Sequence, residues 1–306
     1  LKRKLDKETA QTLRSMIAAA KKAKSKLLDG LYLEEDASRY YPMGQFASQL
    51  LGLTTVDGVG QSGLEKSLDK YLAGREGAVL SEIDGKGRAL EGGAQSYVPA
   101  VDGGTATLTI DYVIQSYAEQ AAREAMSVNS AKGVRVIVMD PQTGEILALC
   151  CKPDYDPNDP PRNDVSALTA LMRNRLVADA YEPGSTFKIL TSSIALDLGV
   201  TDVNEGFYCS GKITIDGSTV RCWGNPHGAE TMRQALQNSC NPVFVELGLR
   251  IGVDRFYDYM EKYGVGSPTG VDIAGEGNGI MIARERVKRV DMARIGFGQS
   301  IAVTPM

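Results

Sequence analysis

The sequence predicts an α+β protein built in two parts, and three observations lead there. Its 306 residues suffice for two ordinary domains of about 150 residues each. The stretch from Tyr40 to Gly104 is Gly-rich and broken into short pieces. Beyond it a β-hairpin is followed by a run of helices, the order expected of helices packed on an antiparallel sheet. Asp102-Gly103-Gly104 punctuates the chain between these regions, so a loop-rich domain is expected over residues 1–105 and a second domain over residues 106–306.

The elements follow in order. Residues 6–28 read as a helix with Asp6 as its N-cap, Leu13, Met16, Ile17 and Ala20 at helical spacing, and Asp29-Gly30 as its stop. Lys21, Lys22, Lys24 and Lys26 read as its solvated face. One further helix is expected from Leu64 to Leu72, and Thr105 to Ile110 alternates as a strand would. From Asp111 the period turns helical, with Ile114, Tyr117, Ala118, Ala121, Ala122 and Ala125 on the expected buried face. Val134 to Met139 and Glu145 to Cys150 read as strands joined by the turn residues Asp140-Pro141-Gln142-Thr143-Gly144. Lys212 to Val220 alternates as a hairpin around Asp216-Gly217, and residues 185–198, 232–238, 242–249 and 254–262 read as helices.

Composition narrows the function. Hydrophobic residues at 43% and charged residues at 24% are those of a folded chain rather than a disordered one. Lys+Arg 34 against Asp+Glu 38 gives a net charge of −4, which argues against a dedicated nucleic-acid binder. No apolar run approaches the ~18–20 residues that cross a bilayer. The chain opens at Leu1-Lys2-Arg3 rather than Met, so a segment of a longer product is expected, with any upstream anchor removed. Five cysteines and one histidine, with no CxxC or HExxH spacing, argue against a zinc site, and no cofactor is expected. The single histidine also weakens every mechanism that needs an imidazole base.

The sharpest local feature is Glu182-Pro183-Gly184-Ser185-Thr186-Phe187-Lys188. Pro183-Gly184 forces a turn, and Phe187, Leu190, Ile194 and Leu198 define an apolar face, so Ser185 falls in the first turn of a buried helix. A helix N-terminus favours a developing alkoxide and an oxyanion bound by the Ser185 N–H. Lys188 lies three residues on, on the same face, and a buried lysine with a lowered pKa can act as base toward the serine. Taken alone, Ser-x-x-Lys equally fits a capping serine beside a surface lysine. The second element is Ser239-Cys240-Asn241 at a helix–helix elbow before Pro242. There Ser239 could relay a proton and Asn241 could bind an amide, while Asn241 is also a good N-cap.

Together these residues resemble the first two active-site motifs of the penicillin-binding proteins, acyl-serine transpeptidases with an S-x-x-K signature. Asp140-Pro141, Thr143 to Ala148, Pro157-Asn158-Asp159-Pro160 and Gly296-Phe297-Gly298-Gln299 are similar to the transpeptidase domain of class B members. Arg39-Tyr40-Tyr41-Pro42 and Gly63-Leu64-Glu65 are similar to their dimerisation-type pedestal domain. The resemblance covers nearly the whole chain and is strongest to the division- and sporulation-specific enzymes of Gram-positive bacteria. It implies a peptidoglycan D,D-transpeptidase with Ser185 as nucleophile, Lys188 as general base, Ser239 as proton shuttle and Asn241 as ligand of the substrate amide. The partners it implies are peptidoglycan stem peptides, β-lactams, and a glycan polymerase with other division proteins through the N-terminal domain, and no nucleic acid. It implies a place on the extracytoplasmic face of the membrane, anchored by an N-terminal helix outside this chain. A penicillin-recognising hydrolase, a β-lactam sensor and an idle division scaffold share the fold. The family's third motif, Lys-Thr-Gly or Lys-Ser-Gly, does not occur in the 306 residues, and Thr304-Pro305-Met306 stops where a helix should start. An incomplete catalytic domain without competence of its own is therefore expected.

Three further signals stand outside these motifs. Gly58-Val59-Gly60-Gln61-Ser62-Gly63 fits GxGxxG, but no buried parallel strand precedes it and no βαβ alternation follows, so turn glycines are expected. His227 in Asn225-Pro226-His227-Gly228 is the sole triad candidate, yet no GxSxG elbow occurs, and a surface or groove-edge histidine is expected. Cys209 and Cys222 flank the 212–220 hairpin and could form a disulfide or remain thiols, whereas Cys150, Cys151 and Cys240 read as buried small residues.

Overall fold

The computed structural model describes residues 2–34, 36–82, 84–85, 90 and 95–306. The chain forms two compact units, one of Leu1–Leu108 with Asp154–Leu168 and one of Thr109–Pro153 with Thr169–Met306. Among the described residues no helix is long and apolar enough to cross a membrane.

The first unit opens with α1 (Lys7–Lys22), whose N-terminus is held by Asp6 accepting from the Thr9 N–H at 2.7 Å. The helix ends at Lys22 rather than at residue 28, because Lys24 takes a left-handed backbone with φ 53°. Short helices α2 (Ser48–Leu51), α3 (Gly63–Ser67) and α4 (Asp69–Leu72) follow, then strands β1 (Ala78–Ser81) and β2 (Gln95–Val98), paired antiparallel. The single helix expected from Leu64 to Leu72 is two, since Leu68 leaves helical geometry at φ −102° and ψ 10°. The Gly58–Gly63 run is a turn closed by the Thr54–Gly60 bridge.

Two segments that resembled different domains meet in this unit. The Asn158 side chain accepts from the Tyr41 N–H at 2.9 Å and donates to the Tyr41 carbonyl at 2.8 Å. Arg39 grips the largely buried Glu65 with two nitrogens, each 2.8 Å from a carboxylate oxygen, the bidentate geometry that makes such pairs strong.

The second unit opens with α5 (Tyr112–Val128), capped by the Asp111 carboxylate on the N–H groups of Val113 and Ile114. It packs on the antiparallel pair β3 (Val134–Met139) and β4 (Ile146–Lys152). Its buried face is Gln115, Ala118, Glu119 and Ala122, with Tyr117 and Ala121 exposed against expectation. The polar members dock the helix. Gln115 exchanges two hydrogen bonds with the Leu149 backbone, at 2.8 and 3.0 Å, standing in for a neighbouring strand. Glu119 meets the Lys152 ammonium at 3.2 Å with both side chains almost fully buried. Thr105–Ile110 is not a strand: the chain meets β4 through the Thr109 hydroxyl on the Ile146 carbonyl and the Asp111 N–H on the Leu147 carbonyl.

Further along lie α6 (Val165–Met172), α7 (Arg175–Ala178), a 3₁₀ turn (Gly184–Phe187) running into α8 (Lys188–Asp197), β5 (Gly206–Cys209), β6 (Lys212–Ile215), β7 (Ser218–Arg221) and β8 (Gly228–Thr231). Helices α9 (Met232–Gln237), α10 (Asn241–Ile251), α11 (Val253–Lys262) and α12 (Arg289–Ile295) complete the order. The α+β class holds, but the described strands form four separate antiparallel pairs, β1–β2, β3–β4, β5–β8 and β6–β7, rather than one sheet. The core sits around α10, whose Phe244, Val245, Leu247 and Ile251 are wholly buried against α8, α11 and α12. Gly296 lets α12 approach α10, for a Cβ there would stand 2.5 Å from the Phe244 carbonyl oxygen.

Glu119→Ala should cost a few kcal/mol in urea unfolding, about 3–5, because it removes a buried ion pair to Lys152 together with the acceptor of the Gln115 amide. Replacing both partners by Met should recover most of that loss, and equal loss in the single and double variants would show that the ion pair is not the cause.

Candidate active site

Ser185 and Lys188 are brought together by one turn. The Gly184 backbone takes φ 56°, the 3₁₀ turn Gly184–Phe187 presents the Ser185 hydroxyl, and Lys188 begins α8. Behind the turn, the Gly184 N–H donates to the Gly298 carbonyl at 2.8 Å, and Tyr181 bridges to Val303. Gly298 has φ 82° and a Cβ there would fall 2.1 Å from the Gly184 carbonyl oxygen, so only glycine fits. The Gly296-Phe297-Gly298-Gln299 segment is thus the support of the Ser185 turn.

The elbow between α9 and α10 supplies the rest. Ser239 adopts φ 53°, an uncommon conformation for a residue other than glycine and the kind of local strain that collects at functional sites. Asn241 does not cap α10: Cys240 occupies that position without a side-chain cap, and Asn241 is the first helical residue. Its amide is used differently, donating to the Arg221 carbonyl at 3.0 Å and accepting from Lys188.

Lys188 is the hub. Its side chain is wholly buried, and Nζ lies 2.7 Å from the Ser239 carbonyl, 2.7 Å from Asn241 Oδ1, 3.0 Å from Ser239 Oγ and 3.3 Å from Ser185 Oγ. Four oxygens surround a group with at most three N–H donors. The two carbonyl oxygens can only accept, so they claim two protons. In the neutral amine the remaining lone pair must then point at a hydroxyl, that of Ser185 or of Ser239. Burial lowers the Lys188 pKa from its ordinary 10.5 to about 8, while nearby Cys240 and Cys222 pull the other way. The arrangement can therefore take a proton from Ser185 and pass one through Ser239. Beside it, a cleft of about 320 Å³ is lined by Glu182, Arg221, Asn241, Arg294, Gln299 and Ser300 among others.

The chain matches the family model of the penicillin-binding protein transpeptidase domain over residues 134–306, and that of the penicillin-binding protein dimerisation domain over residues 1–108. It belongs to the penicillin-binding proteins. Stage V sporulation protein D of Bacillus subtilis is 38% identical over 100% of this chain and 47% of its own length. Peptidoglycan D,D-transpeptidase FtsI of Escherichia coli is 31% identical over 91% of this chain and 46% of its own. The apo crystal structure of penicillin-binding protein 3 from Mycobacterium tuberculosis superposes with TM-score 0.75 at 31% identity, covering 87% of this chain and 56% of that one. That protein has also been solved with ampicillin and with aztreonam. The chain thus spans about half the length of the curated relatives it matches.

Sequence reasoning missed part of the surroundings. Cys209, Cys222, Cys240 and His227 have their donor atoms within 4.8 Å of one another, although they are dispersed along 32 positions. The spacing argument against a metal-type cluster fails here because β5, the 212–220 hairpin and the α9–α10 elbow bring distant residues to one point. His227 is half-buried, with its side chain 17% exposed. The five cysteines stand as thiols.

The Lys188 amine should titrate near pH 8, followed by NMR of labelled lysine. About a tenth would be neutral at pH 7 and about half at pH 8. Because the unfolded chain holds that proton up to about 10.5, stability should rise with pH between about 8 and 10.5. A Lys188 titration at its ordinary value would remove the base from the site.

Proposed function

We propose that these residues carry the acylating centre of a peptidoglycan D,D-transpeptidase working in cell division or sporulation, with a pedestal over residues 1–105 and a catalytic domain over residues 106–306. The observation that carries the reading is the single buried amine of Lys188 in contact with both hydroxyls and the Asn241 amide.

In the proposed reaction Ser185 Oγ attacks the carbonyl of the penultimate D-alanine of a stem peptide and gives its proton to neutral Lys188. The oxyanion is received by the Ser185 N–H, and Asn241 holds the substrate amide through its second N–H. Collapse breaks the peptide bond; Lys188 returns the proton through Ser239 to the nitrogen, and terminal D-alanine leaves as its amine. A neighbouring stem's amino group then takes the acyl group from Ser185. A β-lactam enters by the same first step, and its ring opening leaves the leaving group attached. The names of the relatives and the ampicillin complex of a structural neighbour support this chemistry. Such a substrate would put the protein at the extracytoplasmic face, with an N-terminal membrane helix outside these 306 residues as its anchor. The N-terminal unit would dock a glycan polymerase and other division proteins.

Labelling by fluorescent penicillin, mapped by mass spectrometry, tests the centre in a protein that joins these residues to a Lys-Thr-Gly or Lys-Ser-Gly strand. Ser185→Ala should abolish the adduct, and Lys188→Ala should slow acylation by about 10²–10⁴-fold. The wild-type rate should climb as pH passes about 8. Label on another residue would end the assignment. The 306 residues alone should label slowly, and fast stoichiometric labelling would show that the third motif is dispensable for acylation. Growth supported by Ser185→Ala would favour a scaffold over a transpeptidase.

A further inference from the structure

We propose that Cys209, Cys222, Cys240 and His227 bind one thiophilic divalent cation, zinc by preference, and that this site braces the Ser239–Asn241 elbow. The four donors arrive from separate places: Cys209 ends β5, Cys222 follows β7, His227 precedes β8 and Cys240 precedes α10. Pairing of β5 with β8 sets Cys209 opposite Gly228, next to His227, and the Cys222 N–H bonds the Gly211 carbonyl at 2.9 Å.

The dimensions suit a tetrahedral ion. Bonds of about 2.3 Å to sulfur and about 2.0 Å to nitrogen place neighbouring donors about 3.5–3.8 Å apart. Cys222 Sγ stands 3.7 Å from His227 Nδ1, and all four donors lie within 4.8 Å of one another. The surroundings suit it as well. Cys209 and Cys240 are wholly buried, and the backbone N–H groups of His227 and Gly211 donate to the Cys209 sulfur, an outer contact that steadies a thiolate.

Glu230 adds an independent observation. Its side chain is 2% exposed, Oε2 accepts from Asn238, and Oε1 has no hydrogen-bond partner while lying 3.8 Å from His227 Nδ1. A buried carboxylate beside the cluster is costly, and its negative field draws a cation toward these donors. A disulfide would use two sulfurs and leave the third thiol, the imidazole and that oxygen as they are. A divalent cation uses all four donors. On binding, three S–H bonds give three Zn–S bonds and release three protons to solvent, while neutral His227 supplies the fourth pair of electrons.

The consequence lies in Cys240. It is flanked by Ser239 and Asn241, so fixing its sulfur fixes the strained elbow from which both side chains reach Lys188.

The reduced full chain, purified without chelator and then titrated with zinc against a chromophoric competitor, should hold one zinc per chain by elemental analysis. Cobalt in its place should show thiolate-to-metal charge transfer and tetrahedral ligand-field bands. Cys209→Ser and His227→Ala should each weaken zinc by more than about 100-fold, beyond the range of an outer-shell partner. Cys151→Ala, in β4, should bind as wild type. Circular dichroism checks that the variants fold; if they do not, wild-type stoichiometry and the cobalt spectrum decide alone. Substoichiometric zinc in the reduced chain, zinc retained by both ligand variants, or a native Cys–Cys bridge that excludes metal would overturn the proposal.

Discussion

The buried amine of Lys188 is the constraint around which this part of the molecule is organised. A cation-forming group in a wholly buried position is tolerated only when oxygens surround it, and four do. Two of those oxygens belong to Ser239, whose carbonyl and hydroxyl both face the amine because its backbone is left-handed. The geometry of the elbow is thus set by the lysine it serves. Desolvation lowers the lysine's pKa while the carbonyl acceptors hold it in place, so the same surroundings weaken its hold on a proton and fix its position.

Support for this arrangement is supplied from far along the chain. The Ser185 turn rests on Gly298, the amide of Asn241 is anchored to the end of β7, and α10 carries the elbow on a core that α12 can approach only because Gly296 lacks a side chain. Each of these rests on a backbone group, two glycines and the Arg221 carbonyl. Backbone supports specify position more tightly than flexible side chains, which suits a site whose reacting atoms must meet within a few tenths of an ångström.

Local signals were legible where local physics decides the outcome. The Asp6 cap, the helix beginning after Asp111, the β3–β4 hairpin around Asp140–Gly144 and the 212–220 hairpin all formed near their expected places. The failures share a cause. The buried face of α5 includes Gln115 and Glu119, which an apolar-periodicity reading assigns to solvent, because their partners Leu149 and Lys152 lie 34 and 33 residues away. Thr105–Ile110 alternates like a strand but forms no ladder, and Asn241 caps nothing because Lys188 takes its carbonyl.

The sequence by itself determined that Ser185 and Lys188 share one turn, because three residues of helical backbone carry both, and that a second polar tripeptide sits at an elbow. Tertiary structure decided that the two motifs meet, across 53 residues from Lys188 to Asn241, and that the amine has more acceptors than protons. It also decided the fate of the cysteines. Their spacing matches no metal motif, and only the crossing of β5, β8 and the α9–α10 elbow gathers three thiols and the one imidazole, since proximity in space is set by packing rather than by separation along the chain.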